Sequence, residues 1–372
     1  MGLHLIPNNL NIDFVGRRKI FYILSLAMFL VGIGAIVIGG GLKYGIDFAG
    51  GTVAQVKFTK PVDVETVKNS LSSFDQAGMV IQRFGDDGQG YLIRISSTDM
   101  SGASLREGIT SALAKIENNP DIIQRLESVG PKVGADLRSK AVEALYFATL
   151  LIAIYISWRF EHRWFTAALM AGGLAGSMYL LTLVGVPKGI LVLLATVIMV
   201  GLCWKLKLIY ALGAVISILH DVFITVGLFA LMGKEFDLTI IAALLTIVGY
   251  SLNDTIIVYD RIRENLQVKK VSNLGLVINQ SINQTLSRTV LTSLTTLIVI
   301  TSLLLFGGGI IHDFALVMFI GVIVGTYSSI FVASPVLMLF GDTVISQAEA
   351  MKAEREETAK RARNRDLANG SV

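Results

Sequence analysis

Residues 20–41 carry no charge, residues 42–140 are polar with short apolar alternations, and long apolar runs return between Ala141 and Phe340. A helix needs ~20 apolar residues to cross the hydrocarbon core of a bilayer, and several runs approach or reach that length. The pattern predicts spans at 20–41, 141–158, 164–184, 189–204, 208–231, 238–259, 289–307 and 313–340, eight in all. The pair at 164–184 and 189–204 bends at Val186-Pro187-Lys188-Gly189 and reads either as two spans or as a re-entrant hairpin.

Between the first two spans the periodicity changes. Residues 52–58 alternate at period two, 62–74 form an amphipathic helical pattern, and 79–84 and 91–95 are strand-like. A second helical pattern at 104–118 and a strand-like run at 122–129 complete the order β-α-β-β-α-β. That order predicts a small α+β, ferredoxin-like domain whose sheet buries one face under two helices. The expected organisation is an N-terminus at 1–19, a first span at 20–41, the α+β domain at 42–140, a bundle at 141–340 with a hairpin at about 164–205, and a tail at 341–372. The tail is charge-rich from Glu349 to Arg365 with little apolar face, so it is expected to be solvated and partly helical.

Composition agrees with a polytopic α-helical membrane protein: 53% hydrophobic, 16% charged, mean hydropathy +0.65. The net charge of +4 does not signal nucleic acid, because the basic residues gather at the ends of apolar runs. Arg17, Arg18 and Lys19, then Arg159 and Arg163, then Lys205 and Lys207, the 260–288 connection and the tail all fall on one side of the predicted topology. The opposite loops carry isolated lysines such as Lys188 and Lys234, so the positive-inside rule puts both termini in the cytoplasm and domain 42–140 outside it. The first run lacks an A-x-A-like cleavage site and reads as a retained anchor. Cys203, the single cysteine, excludes an intrachain disulfide. No H-E-x-x-H, phosphate-loop or nucleophile-elbow motif occurs, so neither an enzyme nor a metal or cofactor site is expected, and any energy must come from an ion gradient.

Candidate chemistry lies inside the membrane. Gly213, Ser217, Asp221 and Thr225 recur every fourth residue, as do Thr246, Tyr250 and Asp254, with Gly249 and Asn253 alongside. An acid in the hydrocarbon costs roughly 2.5–3.5 kcal/mol even on lenient scales, so both acids are expected to face the bundle interior, where each either titrates or serves a structural role, Asp254 as a neutral group or paired with Arg288. Arg288, Thr292, Thr295 and Thr296 form a further stripe, and Gly321-x-x-x-Gly325 reads as helix packing. Asp221, Asn253, Tyr250 and Thr292 are the expected supporting residues. His220 is read as a hydrogen-bonded packing residue, with a proton relay as the alternative.

Five segments together resemble the SecF branch of the SecD/SecF family: 45–52 (GIDFAGGT), 128–141 (SVGPKVGADLRSKA), 220–265 (HDVFITVGLF through DRIREN), 285–297 (TLSRTVLTSLTTL) and 314–337 (FALVMFIGVIVGTYSSIFVASPVL). They occur in the family's order. The resemblance implies an assembly related to the resistance-nodulation-division transporters, in the bacterial inner membrane, with SecD as a separate pseudo-symmetric half. It implies use of the proton-motive force in late preprotein translocation, alongside the SecYEG channel and SecA motor, with YajC and YidC as further partners and lipid as surroundings. It maps the family's membrane acid onto Asp254 and its essential arginine onto Arg288, and its outer-domain motif onto Gly45, Asp47, Gly50 and Gly51. The chain departs from the family at 164–205, an inserted hairpin between Arg159-Phe160-Glu161 and the span ending in His220-Asp221-Val222.

The expected mechanism is that Asp254 alternates between protonated and ionised states, with Arg288 stabilising the ionised form. Tyr44 to Thr52 is then either a hinge or a rigid turn into the first strand. Two alternatives stand beside the motor: a passive scaffold for the translocation channel in which Asp254 and Arg288 form a structural pair, and half of a small-molecule efflux transporter.

Overall fold

The first apolar run folds as α1 (Arg18–Ile38) and ends where Gly40 and Gly41 take positive φ angles of 74° and 115°, a region open to glycine. This is a computed structural model, and it describes residues 11–72, 79–84, 88–95, 102–114, 116, 121–161, 164–183, 188–268 and 273–368. The Val186-Pro187 bend and the ends of the helical patterns expected at 62–74 and 104–118 lie outside those residues. After α1 comes one turn of helix, α2 (Ile46–Ala49), and then β1 (Gly51–Phe58), α3 (Val64–Ser70), β2 (Met79–Phe84), β3 (Gly90–Ile95), α4 (Gly102–Leu113) and β4 (Asp121–Val129). The strands pair antiparallel in the order β2-β3-β1-β4. Alternation along β1 and β3 turns Ala54, Val56, Phe58, Tyr91, Ile93 and Ile95 to one face, where they pack with Val67, Leu71, Leu105, Ile109 and Leu113. The opposite face carries Gln55, Leu92, Arg94, Arg125 and Glu127 and borders a cleft shared with the helical bundle.

The bundle begins with α5 (Pro131–Glu161), which opens on proline, where a missing N–H leaves no helical bond unmade. Next come α6 (Trp164–Leu183), α7 (Lys188–Lys205), α8 (Ile209–Leu231), α9 (Leu238–Val268), α10 (Leu274–Phe306) and α11 (Gly309–Ser328). Among the described residues, six helices are long and apolar enough to cross a membrane: α1, α5, α8, α9, α10 and the helix that starts in α11. The helices α6 and α7 pack on each other and on α5 and α8, and the apolar Gly189–Lys205 stretch is shorter than those six.

The polar connection expected over 260–288 is largely helix, because α9 and α10 run on past their apolar segments. Side-chain bonds hold the extension together: the Asn265 amide donates to Ser281 Oγ (2.8 Å) and Gln284 Oε1 (2.9 Å). Asn279 and Asn283 accept from the backbone N–H groups of Phe14 (2.8 Å) and Ile12 (2.9 Å), docking the N-terminal segment on α10. After α11 the helix widens into a π-turn at Ser329–Ala333, passes through α12 (Ser334–Val336) and a 3₁₀ turn at Leu337–Phe340, and continues as α13 (Gly341–Ala368). Pro335, which lacks an N–H, sits in this irregular stretch. Ahead of the charge-rich 349–365 stretch, Val344 and Ala348 are buried in the bundle core, so the first turns of α13 are docked.

Two close approaches set the bundle geometry. Gly32 of α1 meets Gly227 of α8, where a Cβ on Gly227 would lie 2.6 Å from the Gly32 Cα. On α11, Gly321 abuts Ile247 and Gly325 abuts Ser251, with a Cβ on Gly325 2.8 Å from the Ser251 Cβ. Small residues at both crossings let the backbones approach, the usual route to tight helix pairs in lipid. Replacing Gly227 by valine should therefore push α1 from α8 and destabilise the fold by about 1–3 kcal/mol, the range for overpacking. Thermal unfolding in detergent checks this, with a lowered Tm expected for Gly227→Val and little change for Gly249→Val, where an added Cβ meets open space.

Candidate functional site

The segment Tyr44 to Gly51 is built into the bundle as a knuckle. Tyr44 pairs with Phe236 in an isolated bridge: Gly45 N–H donates to the Phe236 carbonyl (2.8 Å) and Phe236 N–H to the Lys43 carbonyl (2.8 Å). Asp47 Oδ2 accepts from Leu238 N–H (3.0 Å), capping α9. Phe48 is buried with Phe229, Phe236 and Ile240, and Gly134 of α5 lies against the Phe48 and Gly50 backbone. Gly50 and Gly51 take φ angles of 79° and 118°, and a Cβ on Gly50 would lie 2.8 Å from Pro131 Cα. Glycine is required there on both counts.

Beside the knuckle, the polar sheet face and the α8–α9 and α10–α11 connections enclose a cleft of about 620 Å³. Arg94 of β3 pairs with Glu235, and Lys234 pairs with Asp313 (2.7 Å), so ion pairs join the sheet to the α8–α9 connection and that connection to the start of α11. Burial pushes the Asp237 carboxyl above its ordinary value; the Asp47 and Asp313 charges add to this, against backbone hydrogen bonds from Ile240 and Thr239.

Within the bundle, Asp254 is 1% exposed on α9 and turned toward α10. Ser293 Oγ lies 3.4 Å from its Oδ2 and 2.7 Å from Thr326 Oγ1 of α11, so three helices meet at the acid. The hydroxyls of Tyr250, one turn earlier on α9, and Thr289, one turn earlier on α10, are buried without a hydrogen-bond partner among the described residues. Arg288 is exposed and forms no ion pair with Asp254; its charge acts on the carboxylate across space. Thr246, Gly249 and Asn253 are exposed on α9 as Arg288 is on α10, which puts a polar stripe on the outside of the isolated chain. Thr292 is satisfied by its own helix, donating to the Arg288 and Thr289 carbonyls (both 3.0 Å).

Asp221 sits in a second polar cluster, with Ser251 of α9, Ser328 of α11 and His220 as partners. The structure thus gathers Asp254, Tyr250 and the Arg288 helix into one region, Asp221 into an adjacent one, and the glycine motif at the far end of the bundle. Sequence reasoning missed Ser251, Ser293 and Thr326, and the Arg94–Glu235 pair. Ser251 and Ser293 lay three residues before Asp254 and one after Thr292; a search for hydroxyls one turn from each acid would have found Ser251, but nothing in the sequence pairs Arg94 with Glu235.

Comparison with known proteins gives a consistent result. The family described as protein export membrane protein SecD/SecF, C-terminal, matches residues 109–186 and 183–343, and the SecD/SecF GG motif matches 36–62. The chain is 39% identical over 341 residues to protein translocase subunit SecF of Calditerrivibrio nitroreducens, covering 91% of this chain and 96% of that one. It is 41% identical over 332 residues to the SecF of Magnetococcus marinus, covering 88% and 91%. Among solved structures it resembles the crystal structure of SecDF, a translocon-associated membrane protein from Thermus thermophilus, with a TM-score of 0.69 and 31% identity. That match covers 92% of this chain and 40% of the SecDF chain, so this chain spans less than half of the SecDF polypeptide.

The Asp237 shift has a definite sign. A carboxyl whose value is raised on folding holds its proton more tightly in the folded state, so its contribution is favourable below the ordinary carboxylate value of about 4 and is lost as pH climbs through the raised one. Asp237→Asn keeps the oxygen that accepts from Ile240 N–H and removes the charge. Melting curves should show the variant close to wild type near pH 4 and relatively more stable as pH approaches neutrality; a constant offset at every pH would count against the assignment.

Proposed function

The chain belongs to the SecF branch of the SecD/SecF family of protein export membrane proteins, and from that premise we propose that it uses the proton-motive force to assist late stages of preprotein translocation, with Asp254 as the proton carrier. The supporting observation is the Asp254 site itself: a carboxyl 1% exposed within membrane helices, with a long Ser293 contact and two unpartnered hydroxyls nearby, is incompletely solvated for a fixed charge. A proton crossing the full field releases about 2.3 kcal/mol per 100 mV, comparable to ordinary conformational coupling energies. Ionised Asp254 would draw on the Arg288 charge, and protonated Asp254 would release it.

The exposed stripe of Thr246, Asn253 and Arg288 supports a partner half on that face, since a guanidinium facing lipid is expensive and helices bury such groups against protein. The partner is SecD on a separate chain. Both termini lie in the cytoplasm, the bundle in the bacterial inner membrane, and the β-α-β-β-α-β unit, a ferredoxin-like domain, on the periplasmic side. In this reading α6 and α7 add an inserted pair to six family spans, making eight. The complex works with the SecYEG channel and SecA motor, YajC and YidC being accessory partners, and motion passes to the outer domain through the Gly45–Gly51 knuckle. The scaffold alternative treats Asp254 and Arg288 as a structural pair, and the absence of an ion pair between them weighs against it.

The test is late-stage export of a preprotein in vesicles lacking the native subunit and supplied with this chain and its SecD partner. Asp254→Asn should assemble normally yet lose the stimulation that a proton gradient gives, while Asp254→Glu retains part of it. Full gradient-stimulated export by the Asn variant would remove the motor reading and leave the scaffold.

A further inference from the structure

His220 and Asp221 are adjacent in sequence, and their side chains are joined in the structure. Asp221 is 1% exposed, and among the described residues no lysine or arginine lies within ion-pair distance of it. Its Oδ2 accepts the Ser251 hydroxyl of α9 (2.5 Å) and the Ser328 hydroxyl of α11 (2.8 Å), while its Oδ1 meets His220 Nδ1 at 2.9 Å. The other edge of the ring continues outward: His220 Nε2 meets Ser25 Oγ of α1 at 3.0 Å, Ser25 meets Tyr327 Oη of α11 at 2.8 Å, and Tyr327 donates to the Phe21 carbonyl at 2.6 Å. The Tyr327 ring also lies over the imidazole, centroids 5.9 Å apart.

Charge and direction give this chain of bonds its meaning. An uncompensated ion in a dry interior is penalised by several kcal/mol, so at rest the carboxyl and imidazole together hold one proton, either as two neutral groups or as an ion pair, and in the discharged state the carboxylate is held by the donors of Ser251, Ser328 and His220. Among the described residues, the groups facing the pair are Tyr327 and Ser328 on α11 and the Ser25 hydroxyl of α1, while α9 offers Ser251 and keeps Asp254 turned toward α10. From Asp221 at mid-helix in α8 the bonds step to Ser25 and then Phe21, one turn from the Arg18 start of α1, so the chain of donors climbs toward the end of the bundle opposite the α+β domain.

We propose that His220 and Asp221 form a second proton-exchange site in the membrane, distinct from Asp254, with Ser25 and Tyr327 as its outlet. To discharge the site, the Nε2 proton passes to Ser25 Oγ as Ser25 hands its own proton to Tyr327, and Tyr327, its hydroxyl swinging off the Phe21 carbonyl, gives its original proton to a water that reaches it. His220 Nδ1 then takes the Asp221 proton, and recharging reverses the sequence. The exchange touches α1 directly: the described side-chain hydrogen bonds between α1 and the rest of the bundle are those of Ser25 and of Tyr327 with Phe21. Because α1 leads into the Gly45–Gly51 knuckle, the protonation state of the pair biases how firmly that helix is held. The inference rests on the proton-coupled reading for its purpose, but the site can be tested without any export assay.

Infrared difference spectra of the full chain purified with its partner half, in the Asp254→Asn background and stepped from about pH 5 to about pH 8, bracket the ordinary histidine range. A carboxyl and an imidazole band should change together. Adding Asp221→Asn should abolish the carboxyl change; His220→Gln, which keeps hydrogen-bonding capacity without the titratable ring, should abolish the imidazole change and displace the carboxyl band. Tyr327→Phe should leave both bands but slow their response to a pH jump. If no band depending on Asp221 or His220 titrates, or if the two titrate independently, the pair is a fixed packing contact and the proposal fails, whatever Asp254→Asn does to export.

Discussion

The close contact between α9 and α11 is the constraint on which the interior depends. Gly321 and Gly325 let α11 lie against Ile247 and Ser251, and that approach carries Ser328 to Asp221 and Thr326 to Ser293. In lipid no water reaches the buried polar groups, so each must find a partner on a neighbouring helix or remain unmatched. Hydroxyls on α9, α10 and α11 meet those needs at short range. Among the described residues, Asp221 meets Ser251, Ser328 and His220, whereas Asp254 has a single 3.4 Å contact from Ser293, so the two acids sit in differently furnished surroundings.

At the other end of the bundle, the link to the α+β domain is tied to neighbouring elements by hydrogen bonds and close packing. The Gly45–Gly51 knuckle bonds to the α8–α9 connection, caps α9 through Asp47 and lies under the start of α5. Glycine serves there to admit close backbone approach and positive φ as much as to supply flexibility. A displacement of α1, α5 or α9 would therefore be delivered to the sheet through hydrogen bonds and packed backbone. The Arg94–Glu235 pair adds a contact from the sheet side, so the α+β domain is held at two points, covalently through the knuckle and electrostatically across the cleft.

Much of this was legible in the sequence because hydrophobic patterning is local. Apolar runs longer than a bilayer is thick predict helices wherever they fall in the fold, and period-two alternation predicts the strands that bury Val56 and Ile93. Four-residue spacing put Asp221 and Asp254 on inward faces, and both are buried. The helical extension of α9 and α10 was not legible, since Asn265, Asn279 and Asn283 are poor helix formers until Ser281, Gln284 and the Ile12–Val15 segment occupy their amides. The docked start of the tail depends likewise on a core supplied by other helices.

The sequence by itself determined which segments are apolar enough to cross a membrane and which acids they carry, because transfer of side chains from water to hydrocarbon depends on composition along a single helix. Only the tertiary structure decided what each acid meets. Arg288 turns outward rather than onto Asp254, His220 reaches a serine 195 positions away on α1, and Asp47 caps a helix 191 positions away. Hydrogen bonds and ion pairs act over a few ångströms, and which groups come within that range is set by how the helices cross, a property of the assembled bundle that no single segment encodes.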